Sequence, residues 1–100
     1  MKWRLVIRPG AETDLRHAKH WYETQRPGLG GEFITEVEAA LQSLLRDPLL
    51  HTIYYRGFRR VFVHRFPYKL FYRVEGDRVI VFRILHARRD HPRLLGFESS

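Results

Sequence analysis

The clearest pattern in the chain runs from Phe33 to Leu45. Phe33, Val37, Leu41 and Leu44 fall on one line at spacings of four and three, Ile34, Ala40 and Leu45 widen the stripe, and Glu32, Glu36, Glu38 and Gln42 lie largely off it. That is the period of an amphipathic helix. Arg46 stands in its last turn, where a cation meets the negative end of the helix dipole, and Asp47-Pro48 ends it. A helix is also predicted upstream, where Ala11, Leu15, Ala18 and Tyr22 recur at the same spacings with Trp21 beside them. Pro9 suits its first position because the missing N–H would have no partner there, and Glu12 and Asp14 favour its positive end. It stops near Arg26, and Pro27-Gly28-Leu29-Gly30-Gly31 is a turn cluster that lets the chain reverse. Two amphipathic helices joined in this way form an antiparallel hairpin whose apolar faces need a sheet.

The period then changes to two. Tyr68, Leu70, Tyr72 and Val74 alternate with Lys69, Phe71, Arg73 and Glu75, Gly76-Asp77 marks a tight turn, and Val79 to Leu85 is a β-branched run typical of an interior strand. Arg59 to Phe66 reads as the strand before them, less regular because Phe58, Phe62 and Phe66 share a parity with Arg60 and His64, and Phe66-Pro67 forms the turn back. Trp3 to Ile7 is a short opening strand broken by Pro9. The expected order is β-α-α-β-β-β, an α+β domain with a mainly antiparallel sheet and the helical hairpin on one face.

One hundred residues without repeats, low-complexity stretches or linkers make a single domain, residues 1–100, with room for one core. No cysteine occurs, so neither a disulfide framework nor thiolate chemistry is available. The first residues, MKWRLVIRPGAETDL, hold too short an apolar run for a secretory signal or a membrane span, which makes a cytoplasmic protein the default expectation and a membrane partner not expected. Lys and Arg number 18 against 11 acidic residues, a formal charge of +7, and that balance favours a polyanionic or acidic partner.

No Ser-His-Asp set, P-loop or dinucleotide fingerprint is present. His17 and His20 share a helix face but have no third ligand at a recognised spacing, so no metal and no cofactor are expected. Arg59, Arg60, Arg65, Arg73 and Arg83 either bind a partner or serve as solvated faces and internal partners of Glu32, Glu36 and Glu75. Arg88-Arg89 has the stronger claim to function, since adjacent cations repel unless an anion meets them. His86 reads as a strand-end hydrogen-bonding residue that could carry a proton, and Trp21, Tyr22 and the phenylalanines read as core.

Several of these features, in this order, resemble the RelE/ParE superfamily of bacterial toxins. The marks are Pro9 with Ala11, Asp14 and Leu15, then Trp21-Tyr22, Gly28-Leu29-Gly30 and Phe33-Ile34-Thr35-Glu36-Val37. Arg65-Phe66-Pro67-Tyr68, Tyr72-Arg73-Val74 and His86-Ala87-Arg88-Arg89-Asp90 complete the set, so the resemblance spans Leu5 to about Pro92. The Arg-Phe-Pro-Tyr and His-x-Arg-Arg marks look more like the ParE side, whose members are often called plasmid-stabilisation proteins. The resemblance implies the toxin of a type II toxin–antitoxin module, neutralised by a cognate antitoxin, an acidic or ribbon-helix-helix protein with a disordered segment that folds on binding. It implies one of two targets: DNA gyrase, poisoned by ParE-like members, or mRNA cut on the ribosome by RelE-like members. A degenerate member that binds antitoxin without toxicity is a third possibility.

RNA cleavage needs a proton acceptor, a proton donor and cations for the developing charge. On that reading His86, Arg89, Arg65 and His64 are the candidates, with His91 a further proton carrier, and Arg89 matches a phosphate-binding arginine of the nuclease branch. That branch also carries a tyrosine at or after the last strand, and His86 to Ser100 contains none, which favours the gyrase-binding side. For that mode, and for antitoxin binding, the candidates are Arg59, Arg60, Arg65, Arg83, His86, Arg88 and Arg89.

Overall fold

The computed structural model describes residues 2–89 and 91–99, with the side chains of residues 96–99 left aside. Met1, Asp90 at the end of the His-x-Arg-Arg mark, and Ser100 lie outside the described residues. The elements are β1 (Arg4–Ile7), α1 (Pro9–Gln25), α2 (Leu29–Arg46), β2 (Ile53–Tyr55), β3 (Phe58–Phe62), β4 (Tyr68–Glu75), β5 (Arg78–His86) and α3 (His91–Ser99). The sheet order is β1-β5-β4-β3-β2, with β1 and β5 parallel and the other neighbours antiparallel. The α+β class and the helical hairpin are as expected. A strand and a helix are additional, and β3 ends at Phe62 rather than Phe66.

The extra strand, β2, is joined to β3 by Arg56 and Gly57 at φ 44° and 82°. Two consecutive positive φ values make the mirror-image turn that matches strand twist, and arginine seldom occupies such a position, so nothing in the residue type announces it. The Arg73 guanidinium secures the turn by donating to the Arg56 carbonyl at 2.7 Å.

Helix α2 begins at Leu29, inside the cluster expected to be a turn. Its N-cap is Gly28, in the left-handed region at φ 89°, with no side chain to satisfy the first amide groups. The Glu23 carboxylate of α1 does this instead, accepting the Gly28 and Gly30 N–H groups at 2.9 Å each. These two bonds are also the main reason the Glu23 carboxyl is held below its usual range. Gly30 is buried at the helix crossing, where an added Cβ would stand 2.7 Å from the Lys19 carbonyl oxygen. Only glycine permits that approach.

Two apolar clusters form, one on each face of the sheet, where composition had suggested one. The larger, with Tyr22, Phe33, Val37, Leu44, Leu70 and Tyr72, lies under the helical hairpin. The smaller, with Phe58, Phe71, Ile80, Phe82 and Leu85, is covered by Leu95 of α3. In the larger cluster the fully buried Tyr72 hydroxyl donates to the Pro48 carbonyl at 2.7 Å, and burial pushes its pKa up to about 12. Two residues expected in the core are outside it: Trp21 is 56% exposed and Phe62 68%. Trp21 lies on the flank of the α1 stripe and Phe62 on an open stretch of the outer sheet. No helix among the described residues is long and apolar enough to cross a membrane.

Candidate functional site

β1 pairs with β5 only as far as Ile7 opposite Val81, after which the chain turns into α1. From there, among the described residues, the outer edge of β5 has no strand beside it, and an unpaired strand N–H must find another acceptor. Asp14, on the second turn of α1, supplies one. Its Oδ2 accepts the Ile84 N–H at 2.9 Å and the Arg83 Nε–H at 2.7 Å, while Oδ1 accepts from Arg83 Nη2 at 2.9 Å. The two side chains are 17% and 13% exposed, so this bidentate pair is largely shielded and fixes α1 against β5.

Above this pair, α1 and the end of β5 enclose a groove of about 260 Å3 lined by Asp14, His17, Trp21, Tyr68, His86 and Arg89, among others. A second hollow of about 350 Å3 shares Trp21, Tyr68 and His86. Positions 14, 17, 18 and 21 are themselves a helical stripe, neighbouring the apolar one, and this was the available sequence clue to the groove. Tyr68 stands opposite His86 in the β4–β5 ladder, with the rings edge to face at 5.3 Å. Burial, and then the Asp14 charge, raise the Tyr68 hydroxyl pKa against an opposing pull from Arg89. His86 Nδ1 accepts the Arg88 N–H at 3.1 Å, so the neutral ring carries its proton on Nε2. The groove thus offers a phenol, an imidazole and a guanidinium beside an exposed indole. Among the described residues that line it, the carboxylate is Asp14, already committed to Arg83.

The sequence-selected residues divide between this groove and other places. Arg88 and Arg89 are exposed just beyond β5, with His86 half-buried before them. Arg83 is held by Asp14. Arg65, at φ 73° in the β3–β4 turn, bonds Glu32 at 2.8 Å and lies 3.7 Å from Glu36, while Glu32 also takes Arg26 at 3.1 Å. The Arg65 bond, then the Arg26 bond, lower the Glu32 carboxyl pKa. His64 is exposed in the same turn. Arg59 donates to the carbonyls of Leu49 and His51, and Arg60 lies 3.9 Å above the Tyr54 ring. His91 is buried, its Nε2 donating to the His86 carbonyl at 2.8 Å, which ties the start of α3 to the end of β5. Among the described residues no three His, Cys, Asp or Glu side chains cluster as metal ligands would. Residue-type reasoning passed over Tyr68 and assigned Trp21 to the core and Asp14 to the helix dipole.

Residues 5–91 match the family model described as the ParE toxin of the type II toxin–antitoxin system parDE. The chain belongs to the ParE toxin family. No curated protein matches it. Among solved structures, this ParE-family chain is similar to one from the chromosomal ParDE toxin–antitoxin system of P. aeruginosa, at 18% identity and a TM-score of 0.75 over 84% of this chain and 95% of that one. It is also similar to a chain of the RelBE2 toxin–antitoxin complex from Mycobacterium tuberculosis, at 23% identity and a TM-score of 0.57 over 86% and 99%. At these identities both likenesses speak for the fold, which the ParE family and the RelE side share.

Proposed function

We propose that the whole chain, residues 1–100, is one toxin domain that acts in the cytoplasm by binding DNA gyrase and is silenced by a cognate antitoxin. The observation that carries this reading is the family match over residues 5–91 to ParE toxins, the branch whose resemblance implies a gyrase poison. The placement of the cations supports binding over turnover. Arg65, one of the four residues a nuclease would draw on, is paired with Glu32 and Glu36 of α2 and does not line the groove. The exposed cations Arg88 and Arg89 are left at the end of β5, where guanidinium groups can meet carboxylates of a protein target bidentately. For the antitoxin, a basic domain with two outer strands, β1 and β2, offers edges to which an acidic segment can add while folding.

A second reading, ribosome-dependent mRNA cleavage, is favoured by one specific observation. The tyrosine missing after His86 is replaced in space by Tyr68, directly across the ladder, with Arg89 at the same groove. The discriminating experiment pairs an assay on purified gyrase with primer extension after induction in cells. Gyrase supercoiling by purified enzyme should fall on adding the toxin, and primer extension on total RNA should show no new A-site cuts. Cuts that appear in the native protein and vanish in His86→Ala, with supercoiling unaffected, would replace the first reading by the second.

A further inference from the structure

Trp21 is the largest side chain left outside the core on α1, and its surroundings are not those of a stray surface residue. Isolated exposed apolar side chains need no explanation. This one stands between two adjoining hollows, edge-on to Tyr22 at 5.1 Å, and shares both hollows with the rings of Tyr68 and His86. The guanidinium of Arg89 and the imidazole of His17 line the same groove. Asp14 does not oppose an incoming anion there, because Arg83 offsets its charge at 2.7 Å. A flat apolar face next to hydrogen-bond donors and a guanidinium suits a ligand that is planar at one end and anionic at the other.

We infer that the groove between α1 and the end of β5 binds a nucleoside phosphate, its base stacked on Trp21 and its phosphate held by Arg89, with the His86 Nε2–H and the Tyr68 hydroxyl as donors. The hollows are of the size that small-ligand sites begin at, roughly 300 Å3, and one nucleotide unit needs no more. Stacking on an aromatic platform beside a basic groove is sequence-tolerant, so the same chemistry serves a free nucleotide or one unit of a single strand. An acidic peptide would use the cations but would leave the exposed indole without a partner. The net charge of +7 draws either phosphate source to the surface, and the groove supplies the place. On the gyrase reading this is a separate site; on the mRNA-cleavage reading it rests on that reading and adds Trp21 as the stacking residue of the same groove.

The test is direct binding by the purified 100-residue chain. A labelled RNA hexamer is followed by fluorescence anisotropy, and adenosine monophosphate by quenching of indole emission. Trp21→Ala should weaken hexamer binding by about tenfold or more, the loss of one base–aromatic stack, with Trp21→Phe recovering part of it. Arg89→Ala should weaken binding and lower the salt slope by about one. Melting curves of the variants should match the native chain, since neither side chain is in the core. Mononucleotide binding as tight as the hexamer's identifies a free nucleotide as the ligand, and preference for the hexamer identifies a strand. Equal binding by Trp21→Ala, or displacement of the hexamer by hexaglutamate as readily as by unlabelled hexamer, would overturn the proposal, the second result in favour of an acidic peptide. Failure of both RNA probes to bind would overturn it as well, without touching the gyrase reading.

Discussion

Asp14→Ala tests the load carried by a single carboxylate that closes the open edge of β5. It removes three accepted hydrogen bonds at once: two from Arg83 at 2.7 and 2.9 Å and one from the Ile84 amide at 2.9 Å. Breaking a fully buried pair from one side costs about 3–5 kcal/mol, because the surviving charge is left desolvated. Both partners here retain some solvent contact, at 17% and 13% exposure, so the expected loss is lower, about 2–4 kcal/mol. For a domain of this size that corresponds to a fall in melting temperature of roughly 10–25 °C. Arg83→Ala should cost less, about 1–3 kcal/mol, since Asp14 keeps the Ile84 amide and can reach water. The double variant should then be less destabilised than the two single losses added together, with a coupling of about 1–2 kcal/mol. Asp14→Asn should fall between, because it keeps an acceptor for Ile84 but loses the charge. Urea denaturation of the native chain and the four variants measures all of this. A coupling within about 0.5 kcal/mol of zero would mean that Asp14 and Arg83 are merely neighbours and that the edge of β5 is satisfied in another way.

The remaining expectations concern the hairpin and the strand end. Gly30→Ala should destabilise by about 1–3 kcal/mol, since its Cβ would meet the Lys19 carbonyl at 2.7 Å and the Glu23 carboxylate at 2.9 Å; an unchanged urea midpoint would show that the helices can part without cost. The Glu23 carboxyl is lowered from 4.5 by the Gly28 and Gly30 amides, so its contribution is fully present above 4.5 and is lost as pH falls through its folded-state value. Stability of the native chain should therefore drop more steeply on acidification below 4.5 than that of Glu23→Gln, and parallel pH curves would remove Glu23 from the capping role. Arg88→Ala with Arg89→Ala should leave the melting temperature nearly unchanged while colony survival on induction rises sharply; full killing by the double variant would make the pair a solvated surface, and a large drop in melting temperature would make it structural.

The helices were legible because their information is local: the α2 stripe is complete within Phe33 to Leu45, and Pro9 and Pro48 punctuate the ends. Strand β2 was hidden for an equally local reason, a positive-φ arginine at Arg56 where a turn is usually marked by asparagine or glycine. The groove was hidden for a different reason, one that lies in register. Counting back from the Gly76-Asp77 turn, Glu75 pairs with Arg78, Val74 with Val79, Arg73 with Ile80 and Tyr72 with Val81. An uninterrupted ladder would carry on to place Leu85 opposite Tyr68. Instead Phe71 pairs with Arg83, so Phe82 is an extra residue in β5, and every later pairing shifts by one. That bulge lets Phe82 and Leu85 join the cluster under α3 while Val81 and Ile84 stay under the hairpin. It also brings His86, not Leu85, to Tyr68. A one-residue slip exchanges an apolar neighbour for a titratable one, and period-two reading alone cannot see it. The chemistry of the groove therefore depends on the bulge at Phe82 as directly as on the identity of any residue that lines it.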